Sequence, residues 1–362
     1  MKEVGMIMSN LALRKTEPAF GADLVETSVS DRSLASDEVE IEVLAAGICG
    51  SDLHAFAWDK GYEFMRPLLP VTIGHEFCGT VRGLGDAVTD DRSLAVGDQV
   101  VCWPTVPCGA CWACQEGEPL GCEARRIIGL HRDGGFCARV RVPAANCLAV
   151  PPGMPPDVAA LAEPLAIAIH AADLAEFKAG SRVVVLGPGP IGLAAAWIAA
   201  QEGARVLLVG LDDSQRLKLA RGMGIEDVAD LSEGSLADHV QEAFGGKVDR
   251  VIEATGAPAS VEDGLLVLRP RGVLVAAGIH SGQCSIDLAD FVRGKKQIRG
   301  AHDTTERAFR RAIDLLDRQG DALGRLISHR LPLRDALRGF ELARGKTAMK
   351  IILYPNEIPG ET

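Results

Sequence analysis

The sequence predicts an α/β protein of two domains, one a doubly wound parallel sheet and the other β-rich. Three observations carry that prediction. The chain has 362 residues, and roughly 150 residues per domain makes that two domains and a fraction. From Arg182 onward, short β-branched runs alternate with apolar helical stretches, the pattern of βαβ units and of a parallel sheet covered on both faces. Before Pro151 the segments are short, strand-like and punctuated by Gly, Pro and Asp. Aromatic residues are 4% while glycine reaches 40 residues, which suits an α/β chain with many tight turns better than an aromatic-rich sandwich.

Taken in order, strands are expected at 38–44, 71–83, 99–103 and 136–142, followed by a proline-rich seam, PPGMPP, at 151–156. From Arg182, RVVVL, PIGLAAAWIAAQEG, RVLLVG and DSQRLKLARGMG read as strand, helix, strand and helix. Further strands are expected at 249–254, 272–276 and 297–299, then helices at 304–319 and 333–343, and a strand-like MKIILYP. Pattern alone does not assign this tail to either domain.

Composition narrows the function classes. Apolar residues at 47% and charged residues at 24% are enough for sizeable cores and argue against wholesale disorder. Lys plus Arg total 38 against 49 Asp plus Glu, a net charge of -11, which repels phosphate backbones and argues against nucleic acid or an anionic membrane as partner. The N-terminal MKEVGMIMSNLALRKTE mixes both charge signs without a long apolar core, so it does not read as a secretory signal, and the cytoplasm is the expected location. The uncharged window 183–201 has the length of a membrane span, but Gly187, Pro188, Gly189, Pro190 and Gly192 make it a strand, a turn and a helix. Ten cysteines in such a chain point to metal ligands, buried thiols or reactive thiols rather than disulfides.

Cys108, Cys111, Cys114 and Cys122 stand at spacings of three, three and eight within PCGACWACQEGEPLGCE. Four thiolates on one short loop can wrap one tetrahedral zinc with no position left for chemistry, so this site is expected to be structural. An iron–sulfur cluster also takes four cysteines, at other spacings. A second, open site is suggested by Cys49 in GICGSDLH, His75 and Glu76 in TIGHEFCG, and Glu163 in LAEPLA. Singly each has an ordinary structural explanation, but Cys, His and carboxylate together are the ligand types of catalytic zinc, which keeps a fourth position for water or substrate. His75 and Glu76 are adjacent and can share a metal only if the backbone leaves extended geometry near Gly74.

Gly187-Pro-Gly189-Pro190-Ile191-Gly192 follows a β-branched run and opens an apolar helix. Glycines there allow a tight turn, close approach of backbone to a pyrophosphate and close helix packing, with the helix N-terminus facing the phosphates. An acid is expected to close the next strand and accept the ribose 2′-OH of NAD, but the best-matched place holds Gly210. Asp212, twenty residues after Gly192, can take that role and favour NAD. Alternatively, Gly210 leaves room for the 2′-phosphate of NADP, with Arg216 or Arg205 pairing with it.

GICGSDLH, GHEFCGTV, the four-cysteine loop, LAEPLAIAIHA and GPGPIG stand in the order and separations of the zinc-dependent medium-chain alcohol dehydrogenases. Nearly the whole chain resembles that family, most of all its sorbitol, threonine and butanediol dehydrogenase branch. Other members have a cysteine as third catalytic ligand; this chain offers Glu163 in a Glu-Pro-Leu context. The resemblance implies a GroES-like catalytic domain at 1–155, completed by about 305–362, and a Rossmann nucleotide-binding domain at 156–304, with the nicotinamide in the cleft between them. It implies two zinc ions per chain, NAD or NADP as cofactor, and a catalytic zinc on Cys49 and His75 with Glu76 or Glu163 completing the shell. It places Thr255, Gly256, Ala277, Gly278 and Ile279 along the adenosine and nicotinamide ends, and Lys350 near the pyrophosphate. Ser51 and His54 match a relay that carries the substrate proton through the nicotinamide ribose to solvent. His302 falls near the active cleft by the same resemblance, while His131, His170, His239, His280 and His329 are not singled out by spacing. Cys78, Cys102, Cys137, Cys147 and Cys284 are expected in the core or in strands.

The expected function is reversible oxidation of a secondary hydroxyl on a polyol, sugar or cyclitol to the ketone, with a small-molecule alcohol or ketone as partner. Trp58, Asp59, Tyr62, Glu63 and Arg66 are expected to help wall the pocket, Arg66 alternatively meeting an acid substrate. The rivals are an NADPH-dependent carbonyl reductase and a catalytically idle zinc-bearing scaffold or cofactor sensor. An exposed sheet edge suggests a homodimer or homotetramer.

Overall fold

The structure, a computed structural model, describes residues 9–28, 33–88 and 94–356. Residues 1–8, part of the stretch read for a secretory signal, lie outside the described residues. The chain divides into two compact units, Met1–Glu163 with Ile313–Thr362, and Pro164–Ala312.

The first unit is built around the strand Glu38–Gly47. Val39, Ile41 and Val43 are all fully buried, so period-2 alternation sends one face into the core with Phe77, Val81, Phe136 and Phe340. Its sheet runs Cys147–Ala149, Gln99–Cys102, Glu76–Leu84, Glu38–Gly47, Lys350–Tyr354, Ile327–Pro332, with Arg139–Pro143 also paired to Glu38–Gly47. The C-terminal MKIILYP therefore completes this sheet, with Ile352 and Leu353 opposite Gly47 and Ala46. A smaller sheet joins Asp23–Ser28, Ser9–Lys15 and Val71–Thr72.

The single strand expected at 71–83 is two strands, Val71–Thr72 and Glu76–Leu84. Gly74 separates them at φ 97°, and any Cβ there would lie 2.6 Å from the Phe136 ring. Phe136 is itself held at this break, its N–H donating to the Ile73 carbonyl at 3.0 Å, which is why the strand expected from residue 136 begins only at Arg139.

The second unit carries a six-stranded parallel sheet in the order Asp227–Asp230, Arg205–Gly210, Arg182–Leu186, Val248–Glu253, Leu268–Ala276, Gln297–Gly300. Counted along the chain this is 3-2-1-4-5-6, the doubly wound Rossmann order, with its switch point between Arg182–Leu186 and Val248–Glu253. Val183, Val184 and Val185 are buried without alternation because helices cover both faces. The window 183–201 resolves into the strand, a turn and the helix Pro190–Gln201. The stretch Pro156–Ala175 is long and apolar enough to cross a membrane by length and composition, but 72% of its most apolar window is buried within the fold. Asp227–Asp230 was not anticipated, being a four-residue edge strand of which half is acidic.

Candidate active site and metal centres

Cys49 sits in extended conformation at the start of the helix Gly50–Ala57. Asp52, three residues on and fully buried, accepts the Cys49 N–H at 2.9 Å, the return half of a capping box. Its other oxygen lies 3.5 Å from His75 Nδ1. One acid thus starts the helix and faces the histidine, which leaves His75 Nε2 as the nitrogen a metal would take. Burial opposes a charged His75, but Asp52 and Cys49 outweigh it and hold the imidazole pKa well above its usual value, so a metal binding at Nε2 would displace a proton.

The Gly74 turn lets consecutive residues face one point: the donor atoms of Cys49, His75 and Glu76 all lie within 4.8 Å of one another. A thiolate, an imidazole and a carboxylate at that separation fit a zinc ion with one position open. Glu163, at the start of the helix Ala162–Ala175, is buried but stands outside this set of three. Glu76 is fully buried, and both its oxygens accept from Lys350 Nζ, at 2.8 and 2.6 Å. Lys350 also donates to the Ile48 carbonyl at 3.1 Å. All three ammonium protons then have an acceptor, and the side chain is 3% exposed. Burial would lower the Lys350 pKa, but Glu76 outweighs it and the pKa is raised. Gly47 completes the packing, since a Cβ there would collide with Glu76 Oε2.

Ser51 and His54 stand at i and i+3 on the helix Gly50–Ala57, on one side of it. Ser51 Oγ is 3.3 Å from His75 Nε2. His54 Nδ1 is 2.6 Å from Asp59 Oδ2, and the imidazole is partly exposed. Tyr62 stacks on the His54 ring at 5.9 Å, and burial followed by the nearby Cys49 and Asp52 pushes its phenol well above the usual range, so it stays protonated. Of the other expected wall residues, Arg66 lies over the Trp58 ring at 5.9 Å, and Glu63 accepts the Gly61 N–H at 2.7 Å.

The four donor sulfurs of Cys108, Cys111, Cys114 and Cys122 also lie within 4.8 Å of one another. Backbone N–H groups point at them: Cys111 N–H to Cys108 Sγ at 3.3 Å and Cys108 N–H to Cys122 Sγ at 3.4 Å. The N–H groups of Ala110 and Cys111 pull the Cys108 thiol down to about 6, so it is poised as a thiolate ligand. This donor set fits a closed tetrahedral zinc. Cys78, Cys102, Cys137 and Cys147 are buried, but Cys284, expected with them, is exposed.

In the second unit, the three glycines of the turn do different work. Gly187 has φ 99° with Thr255 and Ala254 against it, and a Cβ on Gly192 would fall on the Gly187 carbonyl. Around Gly189, by contrast, nothing lies within 4 Å of a Cβ position. That is open space at the start of the helix Pro190–Gln201, whose first turn holds Pro190 and Ile191, and a pyrophosphate fits there. Glu253, fully buried, accepts from the Thr255 and Gly256 N–H groups at 2.6 and 2.9 Å and meets His280 Nε2 at 2.9 Å. Its carbonyl accepts from the N–H groups of Ala277 and Gly278 at 2.8 and 3.1 Å, tying together the two strand-end loops; Ile279 next to them is exposed. Gly210 ends its strand, Asp212 is exposed at φ 54°, and Arg216 pairs with Asp213 at 3.5 Å. His302 is exposed.

Sequence reasoning missed Asp52, the pairing of Asp59 with His54, and the Glu253–His280 contact. Only Asp52 left a signal, as the acid three residues after a helix start.

Residues 35–152 match the model of the alcohol dehydrogenase GroES-like domain family, and residues 190–318 that of the zinc-binding dehydrogenase family. The L-galactonate-5-dehydrogenase of Escherichia coli is 33% identical over 318 residues, covering 85% of this chain and 91% of that protein. The L-threonine 3-dehydrogenase of Bacillus subtilis is 34% identical over 349 residues, covering 95% of this chain and 98% of its own. Among solved structures, a zinc-binding dehydrogenase of Sinorhizobium meliloti bound to NADP superposes with TM-score 0.85 at 31% identity, over 96% of this chain and 99% of that one.

Proposed function

The chain belongs to the zinc-binding alcohol dehydrogenase family, and from that premise we propose that it oxidises a secondary hydroxyl of a small polyol, sugar or cyclitol to the ketone. The observation that carries the reading is the convergence of Cys49, His75 and Glu76 within 4.8 Å, with the Ser51 hydroxyl 3.3 Å from His75 Nε2. Relatives named for L-galactonate and L-threonine support a hydroxyl-bearing small molecule as substrate.

When bound, the metal supplies the Lewis acidity that lowers a hydroxyl's pKa, and the dinucleotide supplies the hydride acceptor. The protein's own part is to hold geometry and move the proton. Asp52 faces His75 Nδ1, and Lys350 holds the Glu76 carboxylate in place. Ser51 would accept the substrate proton while giving up its own along the relay through the nicotinamide ribose, and His54 would pass a proton on to solvent. Because His54 Nδ1 faces Asp59, its Nε2 is the free acceptor. Tyr62, held protonated, is a hydrogen-bond donor beside this path.

A cytoplasmic location belongs to the same proposal, supported by ten cysteines of which none is joined in a disulfide. A homodimer or homotetramer does too, supported by Gln297–Gly300 forming one edge of the parallel sheet.

The test is metal content per chain by elemental analysis, alongside nicotinamide absorbance with a panel of polyols, sugar acids and hydroxy amino acids, before and after a mild chelator. Two zincs and chelator-sensitive turnover of one alcohol class are expected. One zinc, with dinucleotide binding but no turnover in either direction, would overturn the reading in favour of a cofactor-binding scaffold.

A further inference from the structure

We propose that Asp213 replaces the acid this nucleotide unit lacks at Gly210, and that the chain thereby discriminates for NAD against NADP. The inference rests on the dinucleotide reading above and deepens it. In a doubly wound unit the acid closing the second strand accepts the ribose 2′-OH. Here that strand, Arg205–Gly210, ends in a glycine.

Gly210 is a filled position rather than an open one. A Cβ on it would lie 2.9 Å from the Cβ of Asp213, 3.1 Å from Pro188 Cγ and 3.4 Å from Leu217 Cδ1. Asp213 therefore starts its side chain in the space where a residue at 210 would start its own. Pro188 belongs to the glycine-rich turn, so the same contact places Asp213 beside the phosphate-receiving backbone. Room for a 2′-phosphate, which a glycine at 210 suggested, is taken up by an acid.

Asp212, Asp213 and Asp230 stand beside the end of this strand, and their commitments differ. Asp230 Oδ1 accepts from Asp212 N–H at 2.9 Å, Ser232 N–H at 3.0 Å and Ser232 Oγ at 2.8 Å, and Oδ2 accepts from Asp213 N–H at 3.1 Å. Although burial opposes its charge, the Ser232 and Asp212 donors prevail and hold Asp230 at about 2, so it is a permanent anion whose acceptor sites are occupied in building the loop. Asp212 adopts the left-handed φ of 54° and is exposed. Asp213 remains, its side chain 9% exposed, with Arg216 at 3.5 Å as its charged neighbour. That long pairing leaves acceptor capacity for a hydroxyl, and it offsets the Arg216 guanidinium that could otherwise pair with a 2′-phosphate. A phosphate entering here meets Asp213 and the fixed charge of Asp230, with Arg216 already paired to Asp213.

The experiment is equilibrium binding of NADH and NADPH to the full-length zinc-loaded protein, followed by cofactor fluorescence, for the parent chain, Asp213→Asn, Asp213→Ala and Asp212→Asn. Near-isosteric Asp213→Asn guards against a folding defect in Asp213→Ala. A hydrogen bond to a charged acceptor corresponds to about tenfold or more in affinity, so NADH should bind at least that much more tightly than NADPH. Asp213→Asn should close most of that gap, by weakening NADH and strengthening NADPH, and Asp212→Asn should move it less. Equal binding of both cofactors by the parent, or a gap that follows Asp212 instead, overturns this inference while leaving the dehydrogenase reading standing. Binding of neither cofactor overturns both.

Discussion

The two metal centres of the first unit are built by opposite means. The four-cysteine loop draws all its donors from residues 108–122, with Cys108 exposed and Cys111 and Cys114 half-buried. The open centre takes Cys49 from a helix start and His75 and Glu76 from a strand start, and its support, Lys350, lies 274 residues beyond Glu76 in the chain. Its His75 and Glu76 are buried, and their charges are matched by Asp52 and Lys350. The loop has little besides its sulfurs and a few N–H groups to fix it, so its metal should organise the protein. In the open centre the protein organises the metal's place.

The strongest way to break that contrast is to remove one donor from the loop. Apparent binding free energies of structural zinc are on the order of 10 kcal/mol, and Cys111→Ser should forfeit much of it locally. Elemental analysis should fall from two zincs per chain to one, and limited proteolysis should cut within 108–122. Retention of both zincs in that variant would mean the loop is held by its backbone alone.

The next largest effect lies in the open centre and should involve no donor atom at all. Lys350→Met leaves the fully buried Glu76 carboxylate without its counter-charge, and breaking a buried pair costs about 3–5 kcal/mol. Urea unfolding of the zinc-free protein should show that loss, and adding Glu76→Gln should recover a large part of it. A loss in Lys350→Met that Glu76→Gln leaves untouched would show that the lysine acts through packing rather than charge.

The same contrast explains what the sequence made legible. Spacing alone marked the cysteine loop because all its geometry is local, and the glycine-rich turn because strand, turn and helix follow one another directly in the chain. The parallel sheet was legible from its uninterrupted apolar runs, such as Val183–Val184–Val185. Asp227–Asp230 was not, since an acidic edge strand of four residues has no apolar signature. The Gly74 break could be argued as a requirement for His75 and Glu76 to meet, but its cause, the Phe136 ring, comes from a distant segment. The meeting of Lys350 with Glu76 was not legible for the same reason: nothing near MKIILYP indicates that the strand lands beside Glu76.

The smallest expected effect is the sharpest test of how the open centre is held. Asp52 accepts the Cys49 N–H with one oxygen and faces His75 Nδ1 with the other. Asp52→Asn keeps the side chain's shape and one acceptor. If its carbonyl oxygen stays on the Cys49 N–H, its NH₂ confronts the Nδ1–H of His75, donor against donor; if it turns, the helix start loses its cap instead. Either way the imidazole loses the partner that fixes Nε2 as the donor, and loss of such an outer-shell contact lowers metal affinity about 10–100-fold. Chelator competition should then strip one zinc from the variant at concentrations that leave the parent with two, while the cysteine loop keeps its own. Equal resistance in the two proteins would reduce Asp52 to a helix cap, and the open centre would have to be held in place by Lys350 and Glu76 alone.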